Sequence, residues 1–197
     1  MTAQPPTSSN QSDLSVSMIL ATWMSLLFAL PPMILFLSFY ISIWGMRSIA
    51  RGFDALAQHM LAFLIAFVFG IVLHEAVHGL GWLVLGQKPL SAVHFGFQWK
   101  TLTPYAHLTE PIDIHAYRWS AVLPAIFIGV IPTIAGILAG SPLMLFFGLA
   151  FILGAGGDLF ILWLIRGVSS GKQVIDHPTR PGCFVLEHNG PNSISSE

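Results

Sequence analysis

Two histidines and a glutamate in the segment His74-Glu75-Ala76-Val77-His78 have the types and spacing of a hydrolytic metal site. Residues four apart on a helix share a face, so the two imidazoles can bind one metal ion. Neutral imidazole is a good ligand for zinc. Glu75 can accept a proton from a metal-bound water, whose pKa zinc lowers to about 7. The motif predicts Zn²⁺ as cofactor, His74 and His78 as ligands, and Glu75 as the catalytic residue.

The pattern is rare in a chain of this composition. With 8 His and 4 Glu in 197 residues, about 0.006 matches are expected by chance. The alternative is a His/Glu cluster that only hydrogen-bonds helices to each other, but such a cluster has no need of this spacing. The spacing therefore favours a metal site.

Two charged residues lie inside long apolar segments. The chain has 8 Lys and Arg and 9 Asp and Glu, and of these 17 only Glu75 and Asp158 are in such segments. An ionisable residue near the middle of a bilayer costs about 2.5–3.5 kcal/mol on insertion scales, so each is a candidate functional residue. The glycines that precede Asp158 permit the close approach of another helix.

Asp158 is the natural third ligand, because a catalytic zinc uses three protein ligands and keeps one position open. His78 precedes Gly86 by eight residues and Asp158 precedes Arg166 by eight. At 1.5 Å per residue, both lie about 12 Å inside the same membrane face. Asp158 could instead make an interhelical hydrogen bond or relay protons. Three histidines of a loop are competing ligands, the best placed being His107: His94, His107 and His115.

The composition indicates a membrane protein. Hydrophobic residues make up 54% of the chain and charged residues 9%, whereas soluble domains carry about 25% charge. A net charge of −1 argues against nucleic-acid binding, and a single cysteine excludes an internal disulfide or a thiolate zinc cage. Four apolar runs reach the roughly 20 residues of a transmembrane helix: Leu14–Trp44, Met60–Leu85, Trp119–Ala139 and Leu143–Ile165. The fold class predicted is an all-α membrane protein with about four transmembrane helices.

Prolines and polar tails give further detail of the predicted membrane domain. We expect a tilt or kink at Pro31-Pro32 and bends at Pro124 and Pro132. Residues 14–166 form the predicted four-helix domain, between a disordered tail of residues 1–13 and a polar tail of residues 167–197. Between the second and third helices, Ala92–Leu102 alternates in the period of a strand, which fits a short β-hairpin or an amphipathic surface segment.

Basic residues predict the orientation. Four spans place both tails and the second loop on one side, which holds six basic residues against Arg47 and Arg51 on the other. The excess favours both tails in the cytoplasm of a bacterial inner membrane, although the first span taken alone argues the opposite. The six are Lys88, Lys100, Arg118, Arg166, Lys172 and Arg180.

The order of motifs resembles a known family. A His-Glu-x-x-His-Gly helix is followed by a Pro-rich helix, a Gly-Gly-Asp-Leu helix and the tail sequence Asp176-His177-Pro178. This order is similar to that of a bacterial family of integral-membrane zincin peptidases, first catalogued as a domain of unknown function, and distantly to the site-2 proteases. The resemblance spans roughly residues 60–186. It implies a three-helix core, zinc ligands at His74, His78 and Asp158, Glu75 as the catalytic residue, and peptide-bond cleavage in or near the membrane.

Two functions fit these residues. The first is an intramembrane or juxtamembrane zinc metalloendopeptidase, whose partners are the bilayer and a membrane-protein or peptide substrate. The second is a non-enzymatic membrane protein that binds or transports metal, because intramembrane His and Asp also mark ion pathways. Glu75 distinguishes them, since a carrier has no need of an unliganded glutamate beside a ligand histidine. The substrate and the oligomeric state are not specified by the sequence.

Overall fold

A computed structural model describes residues 11–99 and 103–186. Four helical segments in this part of the chain are long and apolar enough to cross a membrane. They are compatible with an integral membrane protein and confirm the predicted fold class. The four are Met18–Trp44, Met60–Val84, Ile114–Ala139 and Pro142–Leu164.

Two of the four segments are interrupted. The third changes to a π-helical stretch, Ala125–Val130, directly after Pro124, where proline cannot donate its backbone hydrogen bond. The fourth breaks at Ala155, so Asp158 lies in the first turn of a new helix. The helices are α1 (Met18–Trp44), α2 (Met46–Gln58), α3 (Met60–Val84), α4 (Ile114–Pro124), α5 (Ile131–Ala139), α6 (Pro142–Gly154) and α7 (Gly156–Leu164).

Strands β2 (Val93–Gln98) and β3 (Thr103–Leu108) form an antiparallel pair, with Phe95 opposite Ala106. The segment between the second and third spans is therefore a hairpin and not an amphipathic surface segment. One edge of β3 pairs with β2, and β3 also lies against α3. The hairpin thus covers the helix that carries the histidines.

A second sheet joins distant parts of the chain. Its strands are β1 (Gln11–Ser15), β4 (Ile112–Asp113), β5 (Gln173–Asp176) and β6 (Gly182–Leu186), in the spatial order β1-β6-β5-β4. Both ends of the described chain and the second loop therefore lie at one end of the helices, as four spans require. Which side of a membrane this end faces stays a prediction.

This sheet occupies sequence that we expected to be tail. Residues 11–13 form part of β1, and β5 and β6 lie within 167–197; residues 1–10 and 187–197 lie outside the described residues. The strands form because Val174, Cys183 and Val185 face a buried cluster that includes Trp82 and Ile165. Apolar burial of this kind stabilises short strands that are polar on their other face. The sheet is thereby fixed to the ends of α3 and α7.

Candidate metal centre

Three predicted site residues come together between α3 and α7. His74 Nε2 lies 3.2 Å from Asp158 Oδ2, and His78 Nε2 lies 3.4 Å from Asp158 Oδ1. One ligand atom from each residue falls within 4.8 Å of the others. Both histidines are 8% exposed, and the Asp158 side chain is 25% exposed. Helix spacing and matching depth therefore locate the three residues together, and their role as ligands stays a prediction.

The hydrogen bonding of His78 indicates a cation in this cluster. His78 Nδ1 lies 2.9 Å from the carbonyl oxygen of Ser120, and a carbonyl only accepts, so the proton is on Nδ1. A neutral imidazole then directs the lone pair of Nε2 at the Asp158 carboxylate. Two acceptors this close repel, so the arrangement needs a second ring proton or a metal ion between them. Two imidazoles and a carboxylate are a catalytic zinc ligand set, and the carbonyl bond to Nδ1 is the usual support of a ligand histidine.

Gly81 allows the Ser120 carbonyl to reach His78. A Cβ at Gly81 would lie 2.6 Å from Ser120 Oγ and 2.9 Å from Ser120 Cα, well inside normal contact distances. The Ser120 hydroxyl donates to the carbonyl of Ala116 at 2.8 Å and is therefore held on its own helix. A glycine at this position lets α3 and α4 pack close enough for the histidine to be oriented.

We expect Gly81→Ala to separate α3 from α4 at Ser120. Overpacking of this kind costs about 1–3 kcal/mol of stability, and loss of the support of a ligand histidine weakens metal binding about 10–100-fold. Thermal unfolding and zinc titration against a competing chelator measure the two effects. Gly167→Ala is the matched control, because nothing lies within 4 Å of a Cβ there. Unchanged zinc affinity in Gly81→Ala would contradict the role of the Ser120 carbonyl.

Glu75 lies on the wall of a cavity of about 230 Å³ that also contains the three candidate ligands. Its carboxylate faces the backbone of Ala106 on β3. Glu75 is not a member of the cluster formed by His74, His78 and Asp158. It is therefore placed beside the candidate metal position, with its carboxylate available to a molecule in the cavity.

A second cavity, of about 400 Å³, extends from the first toward the sheet. The two share four lining residues, so they are adjacent, and together they are called the cleft. The second cavity is lined by polar residues that include Gln98, His177 and Arg180. The shared residues are Tyr105, Ala106, Tyr117 and Asp176.

Asp176 holds the walls of this cleft together. Its carboxylate accepts hydrogen bonds from the Leu108 backbone N–H at 2.8 Å and from the Tyr117 hydroxyl at 2.6 Å. It thus joins β5 to β3 and α4, and burial raises the pKa of Asp176. In the sequence, Asp176 stood out only as part of a tail motif, and Tyr117 and Ser120 were not predicted. Alternation in Gln173-Val174-Ile175-Asp176 could have indicated a strand, whereas a backbone carbonyl such as that of Ser120 has no sequence signal.

The competing loop histidines lie elsewhere. His107 Nδ1 lies 3.6 Å from Asp176 Oδ2, and His94 is the strand partner of His107. His115 Nε2 lies 3.0 Å from the hydroxyl of Ser170. Within residues 11–99 and 103–186, the group of His, Cys, Asp and Glu side chains that could hold a metal is the one on α3 and α7.

Comparison with known proteins supports a metallopeptidase. The model of a family described as "Putative zincin peptidase" matches residues 67–172, which is more than half of the chain. The match includes all four residues of the candidate site. No curated protein and no solved structure matches the chain significantly.

Proposed function

The chain belongs to this family of zincin peptidases, and from that premise we propose that it is a zinc metalloendopeptidase that cleaves polypeptides in or beside a membrane, as site-2 proteases do. The observation that carries the proposal is one cavity, between helices able to span a membrane, that contains His74, His78, Asp158 and Glu75. We further propose that the membrane is a bacterial inner membrane, with the sheet on the cytoplasmic side.

The residues of the cavity have separate roles. His74, His78 and Asp158 would hold zinc, and the Ser120 carbonyl keeps the proton of His78 on Nδ1 so that Nε2 is free to bind. Zinc, when bound, supplies a Lewis acid that polarises the scissile carbonyl and lowers the pKa of water. The Glu75 carboxylate takes a proton from the attacking water and delivers it to the leaving amine. Because backbone hydrogen bonds hide the carbonyls of a helix, a membrane-spanning substrate must unwind locally before cleavage.

Glu75 favours an enzyme over a metal-binding or transport protein. It faces the same cavity as the cluster but does not belong to it. A carrier gains nothing from a free carboxylate beside its ligands, and burying one is costly. A hydrolase needs a proton acceptor at this place.

Removal of the metal tests the proposal. We expect a chelator to reduce hydrolysis of a synthetic single-span peptide, in vesicles containing the purified protein, by at least about 100-fold, because the metal both activates water and polarises the carbonyl. Zinc should restore the rate and Mg²⁺ should not, since imidazole ligands suit zinc and oxygen ligands suit magnesium. Mass spectrometry of the products measures the rate. Hydrolysis that continues in protein shown to be free of metal would refute the proposal.

A further inference from the structure

Helix α2 lies at the end of the helices opposite the sheet. A single residue, Gly45, joins it to the end of α1, and a single residue, His59, joins it to the start of α3. Both α1 and α3 are long and apolar enough to cross a membrane. The end of α2 must therefore return to the depth at which the span beginning at Met60 starts. Its 13 residues, about 20 Å in length, accordingly extend along the membrane surface and not away from it.

The buried side of α2 packs on the first turns of α6. A Cβ at Gly52 would lie 2.6 Å from Pro142 Cβ and 2.9 Å from the ring of Phe146, so the two helices are in direct contact. The hydroxyl groups of Ser48 and Tyr40 share a buried hydrogen bond of 2.8 Å. These contacts fix the rotation of α2 about its axis, and with it the direction of each exposed side chain.

The exposed surface of α2 divides into an apolar flank and a polar flank. With about 100° between successive residues, Met46 and Phe53 lie about 120° from the buried side in one direction, and Arg47 and Arg51 lie about as far in the other. Met46 is 64% exposed and Phe53 61%, and both arginines are exposed. One side on protein, one apolar and one polar is the arrangement expected of a helix that lies in the interface between hydrocarbon and water.

Arg47 and Arg51 form a pair of cations on the polar flank. They are four residues apart on the helix, so their guanidinium groups reach the same region. Within residues 11–99 and 103–186, the ion pairs include neither of them. Asp54 shares the flank and leaves it with one net positive charge. A guanidinium group can bind two oxygens of one phosphate, and lipid phosphates lie at the depth of an interfacial helix.

We propose that Arg47 and Arg51 form a binding site for the phosphate of an anionic phospholipid, whose acyl chains lie against Met46 and Phe53. This inference requires that the chain spans a membrane, but it does not depend on peptidase activity. A zwitterionic lipid would bring an ammonium group close to the two arginines. A soluble phosphate would gain nothing from the apolar flank. The bound lipid fixes the link between α1 and α3 to the leaflet that lies away from the sheet.

Competition between two lipids tests the site. The full-length protein in detergent is equilibrated with equal amounts of phosphatidylglycerol and phosphatidylcholine that have identical acyl chains, and native mass spectrometry measures the bound lipid. We expect phosphatidylglycerol to predominate. The double variant Arg47→Gln/Arg51→Gln should bind it at least about tenfold more weakly, because each arginine beside an anionic lipid contributes about fivefold in affinity.

Lys172→Gln/Arg180→Gln is the matched control, since it also removes two cations, but near the sheet. This control should bind phosphatidylglycerol like the wild type. Equal binding of the two lipids by the wild type, or unchanged binding by the variant of Arg47 and Arg51, would overturn the proposal.

Asp54→Asn changes the affinity in the opposite direction. Because it removes the negative charge of the polar flank, it should tighten phosphatidylglycerol binding by about two- to fivefold. A variant that only disturbed the packing of α2 would not gain affinity. Unchanged or weaker binding by Asp54→Asn would contradict an electrostatic site on this flank.

Nitroxide labels test the placement of α2 in the interface. Met46→Cys carries a label on the apolar flank and Gln58→Cys on the polar flank; both positions are exposed, and the native Cys183 is buried. In vesicles, we expect oxygen, which dissolves in hydrocarbon, to reach the label at position 46 more readily. A water-soluble nickel chelate should reach the label at position 58 more readily. Equal access of the nickel chelate to both labels would place α2 in water and would overturn the lipid site.

Discussion

Glu75→Gln is expected to lower the rate of peptide hydrolysis by about 10²–10⁴-fold, the usual contribution of a general base. The amide has nearly the shape of the carboxylate but cannot take a proton from water. Glu75 is not part of the cluster of His74, His78 and Asp158, so the variant should bind as much zinc as the wild type. Rates with the single-span peptide, together with the metal content of the same preparation, measure both effects.

Glu110→Gln is the control for Glu75→Gln. The Glu110 side chain is 45% exposed and lies 3.9 Å from Lys88, a surface pair that contributes little to stability. The Glu110→Gln variant should therefore hydrolyse peptide at the wild-type rate. If Glu75→Gln retained full activity with zinc bound, Glu75 would not be the base and the proposed mechanism would be wrong.

Asp158→Asn should weaken zinc binding by more than about 100-fold, because substitutions that only support a ligand already cost about 10–100-fold. The variant replaces an anionic oxygen with a neutral amide while the two histidines remain. A competition titration with a chromogenic chelator measures the zinc affinity, and activity should decrease in parallel at limiting zinc.

Two outcomes of the Asp158 experiment can be separated. Asp54→Asn is the matched control, since Asp54 is exposed on α2, and it should bind zinc like the wild type. If Asp158 only joined α7 to α3 by hydrogen bonds, Asp158→Asn would reduce thermal stability and leave the zinc affinity unchanged. That result would contradict the proposal that Asp158 is the third zinc ligand.

The sequence predicted the centre of the site better than its surroundings. His74 and His78 share a helix, so their mutual position follows from helix geometry alone. Asp158 could be predicted, because a charged residue inside an apolar segment is energetically costly and therefore indicates a function. The carbonyl of Ser120 could not be predicted, because every residue has a carbonyl group. Its position depends on how closely Gly81 lets α4 approach α3.

The helix break at Ala155 also could not be predicted from the sequence. Glycines are tolerated inside transmembrane helices, so the glycine-rich segment indicated close packing but not an interruption. In the structure, Gly156 packs directly on the backbone of Ser25 in α1, a tertiary contact one residue after the break. The four-stranded sheet was not predicted either, because the outer partners of the β5–β6 pair, strands β4 and β1, lie far away in the sequence.

The sheet that joins β1 to β6 can form only after both strands have been synthesised. Strand β1 is among the first described residues to be synthesised, yet its partner is Gly182–Leu186, close to the last of them. Asp158 and Asp176 also follow the two histidines by many residues. A nascent chain therefore contains His74, Glu75 and His78 long before it contains the third candidate ligand. With the ligand set proposed here, hydrolytic competence would begin only after synthesis has passed Asp158.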